Sequence, residues 1–106
     1  MRPTKDSDER AFLEAMGARL QQAREAWGLR QEDIARIAGV SRQAVAGWET
    51  GNYEPGFMRL SRIANNLCVT TDWVLTGKGD APAISPDKAM LRRMHRAIQE
   101  RLDATP

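Results

Sequence analysis

A three-residue connection between two short segments of helical pattern is the feature that most constrains the fold. The first segment covers residues 31–38, carries two acidic residues in its first turn, and is followed by Gly39, a typical helix stop. The second segment follows Ser41, a favourable N-cap, and ends at Gly51. Because so few residues join them, the two helices have to cross at a large angle.

Apolar residues also recur at spacings of three and four before and after this pair, as they do on one face of a helix. The first helix is predicted to bury the stripe Phe12, Met16, Leu20, Ala23 and Trp27. A fourth helix is predicted to bury Phe57, Leu60, Ile63, Ala64 and Leu67. Thr70 and Thr71 offer caps for a brief fifth helix that Gly77 ends. No segment of useful length alternates with the period of a β-strand, so we expect an all-α fold.

The chain divides into three predicted parts. Residues 1–8 are polar, contain a proline and are expected to form a disordered leader. Residues 9–79 are expected to form one five-helix domain, with the crossing pair of helices at about 31–50. Residues 80–106 are expected to form a proline-containing connector followed by an additional C-terminal amphipathic helix.

The apolar stripe of this C-terminal helix consists of Met90 or Leu91, Met94, Ala97 or Ile98, and Leu102. Two placements fit the stripe equally well, because it can pack on its own domain or on a second copy of the chain. In the second placement the candidate dimer contacts are Leu91, Met94 and Ile98.

Composition favours an intracellular globular protein. A length of 106 residues suits one small domain, and a single cysteine, Cys68, excludes an internal disulfide and favours a reducing cytoplasm. No apolar stretch approaches the roughly 18 residues needed to cross a bilayer. The net charge is +2, but 13 of the 16 basic residues are arginine, the cation best suited to guanine edges and phosphates.

The third helix has two different sides. Val45 and Trp48 form an apolar side, and the opposite side is small or hydrogen-bonding: Ser41, Arg42, Gln43, Ala46 and Gly47. A helix fits the major groove of B-DNA when its outer side is slim enough to reach the base edges. Arg pairs bidentately with guanine and Gln with adenine. The pattern therefore suits reading of DNA rather than catalysis.

The same residues resemble the Cro/C1-type (XRE-like) helix-turn-helix domain of phage repressors and related bacterial regulators. The resemblance covers about residues 16–77 and depends on a combination that is hard to reach by chance: Gln31, Gly39-Val40-Ser41, Trp48-Glu49-Thr50-Gly51 and Asp72-Trp73-Val74-Leu75-Thr76-Gly77. It implies a lambda-repressor-like DNA-binding domain of five helices that usually works as a dimer on a near-palindromic operator.

The resemblance also implies roles for individual positions. Base readout falls to Ser41, Arg42, Gln43, Ala46 and Gly47. Contacts to the DNA backbone fall to Gln31, Arg30, Thr50, Asn52, Tyr53 and Arg59. Arg24 and Glu49 stand where family members often form a structural pair. Two departures matter: Arg30 replaces the Ser or Thr that often caps the second helix, and Ala46 and Gly47 replace longer side chains on the groove-facing side.

No other chemistry is indicated by the sequence. The three tryptophans lie on apolar stripes and are predicted to pack in the core, and Cys68 is predicted to be a small packing residue. His95 has no potential ligands at metal-binding spacing, and nothing resembles a nucleophile with its base or a paired-carboxylate site. We therefore expect no metal, no cofactor and no enzymatic activity.

The sequence thus predicts a sequence-specific, double-stranded DNA-binding transcriptional regulator, a dimeric repressor of an inverted-repeat operator. One alternative is an antitoxin or restriction-modification controller with the same DNA-binding mode and a toxin or antirepressor as protein partner. Another is a protein-interaction adaptor that keeps the fold but has lost DNA binding. A bacterial or phage-encoded protein of the cytoplasm is expected, associated with the nucleoid when bound to DNA and without a membrane partner.

Overall fold

The computed structural model describes residues 7–82, 96–97 and 100–101. Within residues 7–82 the chain forms five helices: α1 (Ser7–Ala26), α2 (Gln31–Ala38), α3 (Arg42–Thr50), α4 (Phe57–Asn66) and α5 (Thr71–Thr76). The described part of the chain contains no strand, and the predicted all-α fold is confirmed.

The N-terminal boundary of the five-helix domain lies two residues before the predicted one. Helix α1 begins at Ser7, so Ser7 and Asp8 belong to a helix and not to a disordered leader, and the rest of the predicted leader lies outside the described residues. In the predicted C-terminal helix, residues 96–97 and 100–101 are helical. The dimer candidates Leu91, Met94 and Ile98 lie outside the described residues.

The predicted caps of α3 and α5 are present. The Ser41 hydroxyl accepts a hydrogen bond from the backbone N–H of Ala44 at 3.2 Å, and the Thr70 hydroxyl accepts one from Trp73 at 3.0 Å. Each bond satisfies one of the backbone donors that the first turn of a helix leaves unpaired. At the other ends, the glycines after α2, α3 and α5 adopt left-handed conformations, so the predicted helix stops are confirmed.

The core lies where α1 packs against α3 and where α4 and α5 close the far side. Trp48 and Trp73 are buried as predicted, and the half-buried Trp27 donates from its indole N–H to the Leu67 carbonyl at 2.9 Å. The most deeply buried large side chains are Ile63, Leu67, Val45 and Val74. Three of these residues belong to the short helices α3, α4 and α5, and the fourth directly follows α4. The short helices are therefore stabilised by tertiary packing.

Three predictions about the core are wrong. Phe12 is 48% exposed and Leu13 is buried in its place, because both residues continue the stripe from Met16 at helical spacing and only the packing decides between them. Phe57, at the solvent-facing start of α4, is 81% exposed. Cys68 is exposed and takes a left-handed φ of 57° directly after Leu67, so it turns the chain and does not fill the core.

A close approach of α1 to α3 fixes the position of α3. A Cβ atom on Gly17 would lie 2.7 Å from the Glu49 carbonyl oxygen and against that of Trp48. Only a residue without a side chain allows two backbones to come this close. Gly17 therefore sets the depth at which the end of α3 sits on α1, a role that the apolar pattern did not indicate.

Candidate nucleic-acid interface

Helix α3 is fixed on one side and exposed at its first turn. Val45 and Trp48 are buried, whereas Ser41, Arg42 and Gln43 are exposed. Further along the helix, Ala46 is half-buried and Gly47 is buried. The outer side predicted from the sequence is thus open at its N-terminal end and covered towards its C-terminal end.

A buried ion pair anchors the end of α3 to α1. Arg24 donates from Nε to Glu49 Oε2 at 2.7 Å and from Nη2 to Glu49 Oε1 at 3.1 Å, while its Nη1 donates to the Leu29 carbonyl at 2.8 Å. The two side chains are only 12% and 5% exposed. This bidentate geometry ties together α1, the turn before α2 and the last turn of α3, as the resemblance implied for Arg24 and Glu49.

The network continues from this pair to the surface through Gln31. The Gln31 amide nitrogen donates to Glu49 Oε1 at 3.0 Å, and its amide oxygen accepts from Arg42 Nη1 at 3.2 Å. Since a carboxylate can only accept hydrogen bonds, Glu49 fixes which end of the amide faces it and leaves the oxygen for Arg42. A hydrogen-bonded chain from Arg24 to Arg42 therefore positions an exposed cation at the start of α3.

The loop after α3 folds back over the last turn of the helix. The Gly47 carbonyl accepts hydrogen bonds from the backbone N–H groups of Asn52 and Tyr53, at 2.9 and 3.3 Å, and from the Thr50 hydroxyl at 3.2 Å. All three of these donor residues are exposed. The three predicted backbone-contacting residues of this loop thus lie together beside α3.

The Tyr53 ring covers Gly47. A Cβ atom on Gly47 would lie 2.5 Å from Tyr53 Cδ2 and 3.0 Å from Cε2, so any side chain at this position would displace the ring. The sequence predicted an open, groove-facing position at Gly47, and the structure instead places an aromatic ring over it. The ring itself is not buried, because Tyr53 is 65% exposed.

The start of α2 has an acid where its N-cap lacks a suitable side chain. Arg30 occupies the cap position, and the buried Asp33 carboxylate accepts from the Arg30 backbone N–H at 2.8 Å. Arg96 Nη2 lies 3.4 Å and Arg36 Nη2 3.9 Å from Asp33 Oδ1. Burial alone raises the pKa of Asp33, but the Arg30 N–H and the charges of Arg96 and Arg30 outweigh it and hold this pKa below its ordinary value.

The remaining predicted backbone contacts flank this surface. Arg30 is exposed beside α2, and Arg59 is exposed in the first turn of α4. Arg59 and Arg62 line a shallow groove between the end of α2 and the start of α4. In the described residues there is no cluster of three or more His, Cys, Asp or Glu side chains that could hold a metal ion. None of the helices in residues 7–82 is long and apolar enough to span a membrane.

The predictions from the sequence include neither the hydrogen bonds of Gln31 to Glu49 and Arg42 nor the position of the Tyr53 ring over Gly47. The position of the Tyr53 ring has a signal in the sequence. Gly47 lies in the middle of a helix, and an aromatic residue follows six positions later, in the loop after the helix stop Gly51. The hydrogen bond between Gln31 and Glu49 depends on the distance between the start of α2 and the end of α3, and no local sequence pattern encodes that distance.

Comparison with known proteins agrees with the geometry. The helix-turn-helix family model matches residues 20–74, more than half of the chain. The SPbeta prophage-derived uncharacterized HTH-type transcriptional regulator YonR of Bacillus subtilis (strain 168) is 36% identical over 61 residues, 58% of this chain and 56% of that protein. The uncharacterized HTH-type transcriptional regulator YqaE of the same organism is 33% identical over 61 residues, 58% of this chain and 53% of that protein. The chain thus spans about half the length of these relatives, and no solved structure matches it significantly.

Proposed function

Because the chain belongs to the Cro/C1-type helix-turn-helix family, we propose that it is a transcriptional regulator that binds double-stranded DNA in a sequence-specific way. The exposed first turn of α3 carries the proposal, since Ser41, Arg42 and Gln43 stand on a helix whose other side is fixed in the core. This turn enters the major groove of the operator.

Direct readout rests on few side chains. Arg42 is suited to the O6 and N7 acceptors of guanine, and Gln43 to the N6 and N7 edge of adenine. The Ser41 hydroxyl already accepts from Ala44 and has its own O–H to donate, while Ala46 offers a methyl group and Gly47 has no side chain. A single copy of the domain therefore reads a short sequence.

Contacts to the DNA backbone surround this turn. They orient the helix on the duplex but carry no sequence information of their own. Their side chains lie at the start of α2, in the loop after α3 and in the first turn of α4: Arg30, Gln31, Thr50, Asn52, Tyr53 and Arg59. Gln31 is half-buried in the hydrogen-bonded chain to Arg42, so it links backbone and base contacts.

The short direct readout favours a homodimer, encoded by a bacterium or a phage, that represses transcription from an inverted-repeat operator in the cytoplasm. Two recognition helices coupled in one molecule bind two half-sites, and the second contact gains from the raised effective concentration. Leu91, Met94 and Ile98 are proposed to form the contact between subunits. An antitoxin or restriction-modification controller would use the same arrangement with a further protein partner.

A protein-interaction adaptor is the second candidate, and one observation favours it. Phe57 and Met58 are 81% and 67% exposed at the start of α4, next to the partly exposed Phe12, and apolar exposure of this kind is typical of protein contacts. In this function the fold is kept, but α3 binds no DNA.

Duplex binding measured across salt concentrations separates the two candidates. A DNA-binding protein that neutralises phosphates loses affinity as salt rises, and the logarithm of the binding constant falls linearly with the logarithm of salt concentration. We expect this behaviour in fluorescence anisotropy with labelled duplexes. Absence of binding to any duplex at low salt would favour the adaptor.

Arg42→Ala and Gln43→Ala test the assignment of the reading helix. Each is expected to weaken binding to the cognate duplex by about 1 to 3 kcal/mol and to relax preference at one base position. Competition with operator variants measures both effects. An unchanged base-preference profile for both variants would show that an element other than α3 reads the bases.

A further inference from the structure

We propose that Tyr53, seated on Gly47, supplies from outside α3 the base-contacting group that the helix lacks at its second turn. This inference rests on the proposed function, since it names a further specificity-determining residue for the same DNA surface. The contact proposed for Tyr53 above is with the DNA backbone, whereas the present inference concerns its aromatic ring and a base.

The position of Gly47 on the helix supports this role. Residues four apart lie on the same face of an α-helix, so Gly47 follows Gln43 by one turn on the side away from Val45 and Trp48. Helical side chains lean towards the N-terminus of their helix, so the space in front of Gly47 lies towards Gln43. Whatever fills that space stands beside the residue proposed to read adenine.

The Tyr53 ring fills that space. Its Cδ2 and Cε2 atoms lie 2.5 and 3.0 Å from the place of a Cβ atom on Gly47, and this contact explains why Gly47 is buried on an outward-facing side. The ring is held at its base because the Tyr53 N–H donates to the Gly47 carbonyl at 3.3 Å and the Asn52 N–H donates to it at 2.9 Å. The exposed remainder of the ring faces solvent in the absence of DNA.

An aromatic edge in this place has a defined chemical target. In the major groove the methyl group of thymine is the apolar feature of the base edges, and apolar side chains contact it. A ring beside Gln43 would cover a thymine methyl at a base pair next to the one that Gln43 reads. Gly47 is then required as a seat for the ring, although glycine is the weakest residue for a helix interior after proline.

This arrangement predicts an effect of opposite sign on helix stability and on DNA binding. Gly47→Ala adds a methyl group that displaces the Tyr53 ring but favours the helix, so its melting temperature is expected to equal or exceed that of the wild type. Its preference for thymine at one position of the selected site is expected to fall about fourfold, the effect of one buried methyl group.

The test compares base-preference profiles of four variants on the site selected by the wild-type chain. Tyr53→Ala and Gly47→Ala are expected to lose preference at the same thymine, whereas Tyr53→Phe keeps the ring and the preference. Phe12→Ala removes a partly exposed aromatic side chain from α1 and serves as the matched control.

Two results would overturn the inference: Tyr53→Ala with the wild-type profile, or Tyr53→Phe with the loss of preference seen in Tyr53→Ala. If Gly47→Ala does not fold, the two tyrosine variants still decide. If the wild-type chain selects no site at all, the proposed function fails, and this outcome is distinct from a wild-type site that Tyr53→Ala reads unchanged.

Discussion

At the scale of single residues, the central feature is the hydrogen-bonded chain Arg24–Glu49–Gln31–Arg42, which connects the core to the surface proposed to read DNA. Glu49 accepts from Arg24 with both oxygens and from Gln31 with one of them. The exposed Arg42 guanidinium therefore depends on a carboxylate that is almost completely buried. In the proposed function, this connection orders the Arg42 side chain before DNA binds and so lowers the entropy cost of binding.

Glu49→Ala is expected to lower the free energy of unfolding by about 3 kcal/mol, because it leaves the Arg24 guanidinium buried without its partner. Urea unfolding followed by circular dichroism measures this loss. Glu25→Ala is the matched control, since the exposed Glu25 side chain accepts a surface hydrogen bond from Gln21 at 3.3 Å, and its removal is expected to cost less than about 0.5 kcal/mol. Equal losses for the two variants would show that the buried pair contributes little.

The residues that sequence reasoning placed correctly are those with a local signature. The sequence identifies Ser41 and Thr70 as caps because capping is decided within one helical turn. The sequence pattern places Phe12 in the core instead of Leu13, because the two fit the same periodic stripe and only the position of the neighbouring helices distinguishes them. The Tyr53 ring lies over Gly47 only because the loop after α3 folds back, and periodicity along a helix does not predict the path of a loop.

At the scale of secondary-structure elements, the start of α2 shows how a helix tolerates an unfavourable cap. Arg30 cannot accept a hydrogen bond through its side chain, so the Asp33 carboxylate takes the Arg30 N–H instead. The negative charge also lies at the positive end of the helix dipole and near the Arg96 guanidinium. A direct hydrogen bond and an ion pair of Asp33 thus take the place of the missing side-chain cap.

Asp33→Asn is expected to destabilise the protein by about 1 kcal/mol at neutral pH and by less in acid. The pKa of Asp33 in the folded state lies below its ordinary value of 3.8, so the charged carboxylate stabilises the fold above that pH. This contribution disappears as the pH falls below 3.8 and through the pKa of the folded state. Urea unfolding of both proteins at neutral and acidic pH gives the difference.

The exposed Glu32 of the same turn provides the control for this measurement, since Glu32→Gln removes an equal charge without breaking the contact to Arg30. A difference between wild type and Asp33→Asn that stays constant with pH would contradict the role given to the charge.

At the scale of the whole molecule, the structure describes the five-helix domain throughout and only residues 96–97 and 100–101 of the predicted C-terminal helix. The five helices share one core, and the family model covers most of them. The described part of the C-terminal segment touches the domain through Arg96, whose guanidinium lies 3.4 Å from the Asp33 carboxylate. Because this contact uses a charged residue of the predicted helix, it is compatible with both placements proposed for the apolar stripe.

Removal of the residues after Asp80 is expected to convert a dimer into a monomer whose five helices remain folded. Operator affinity should then fall by far more than the lost positive charge explains, because the second half-site contact is no longer intramolecular. Sedimentation velocity and melting curves of the 106-residue chain and the truncated chain measure these effects. A 106-residue chain that stays monomeric at tens of micromolar, with truncation lowering only its melting temperature, would contradict the proposed dimer.

Selection of bound duplexes from a random pool tests most directly whether α3 reads DNA. The wild-type chain is predicted to enrich an inverted repeat whose half-sites are about 34 Å apart, one helical turn of DNA, with each half-site dominated by a guanine and an adenine contacted through Arg42 and Gln43. A pool that shows no enriched sequence after selection at low salt would contradict sequence-specific DNA binding.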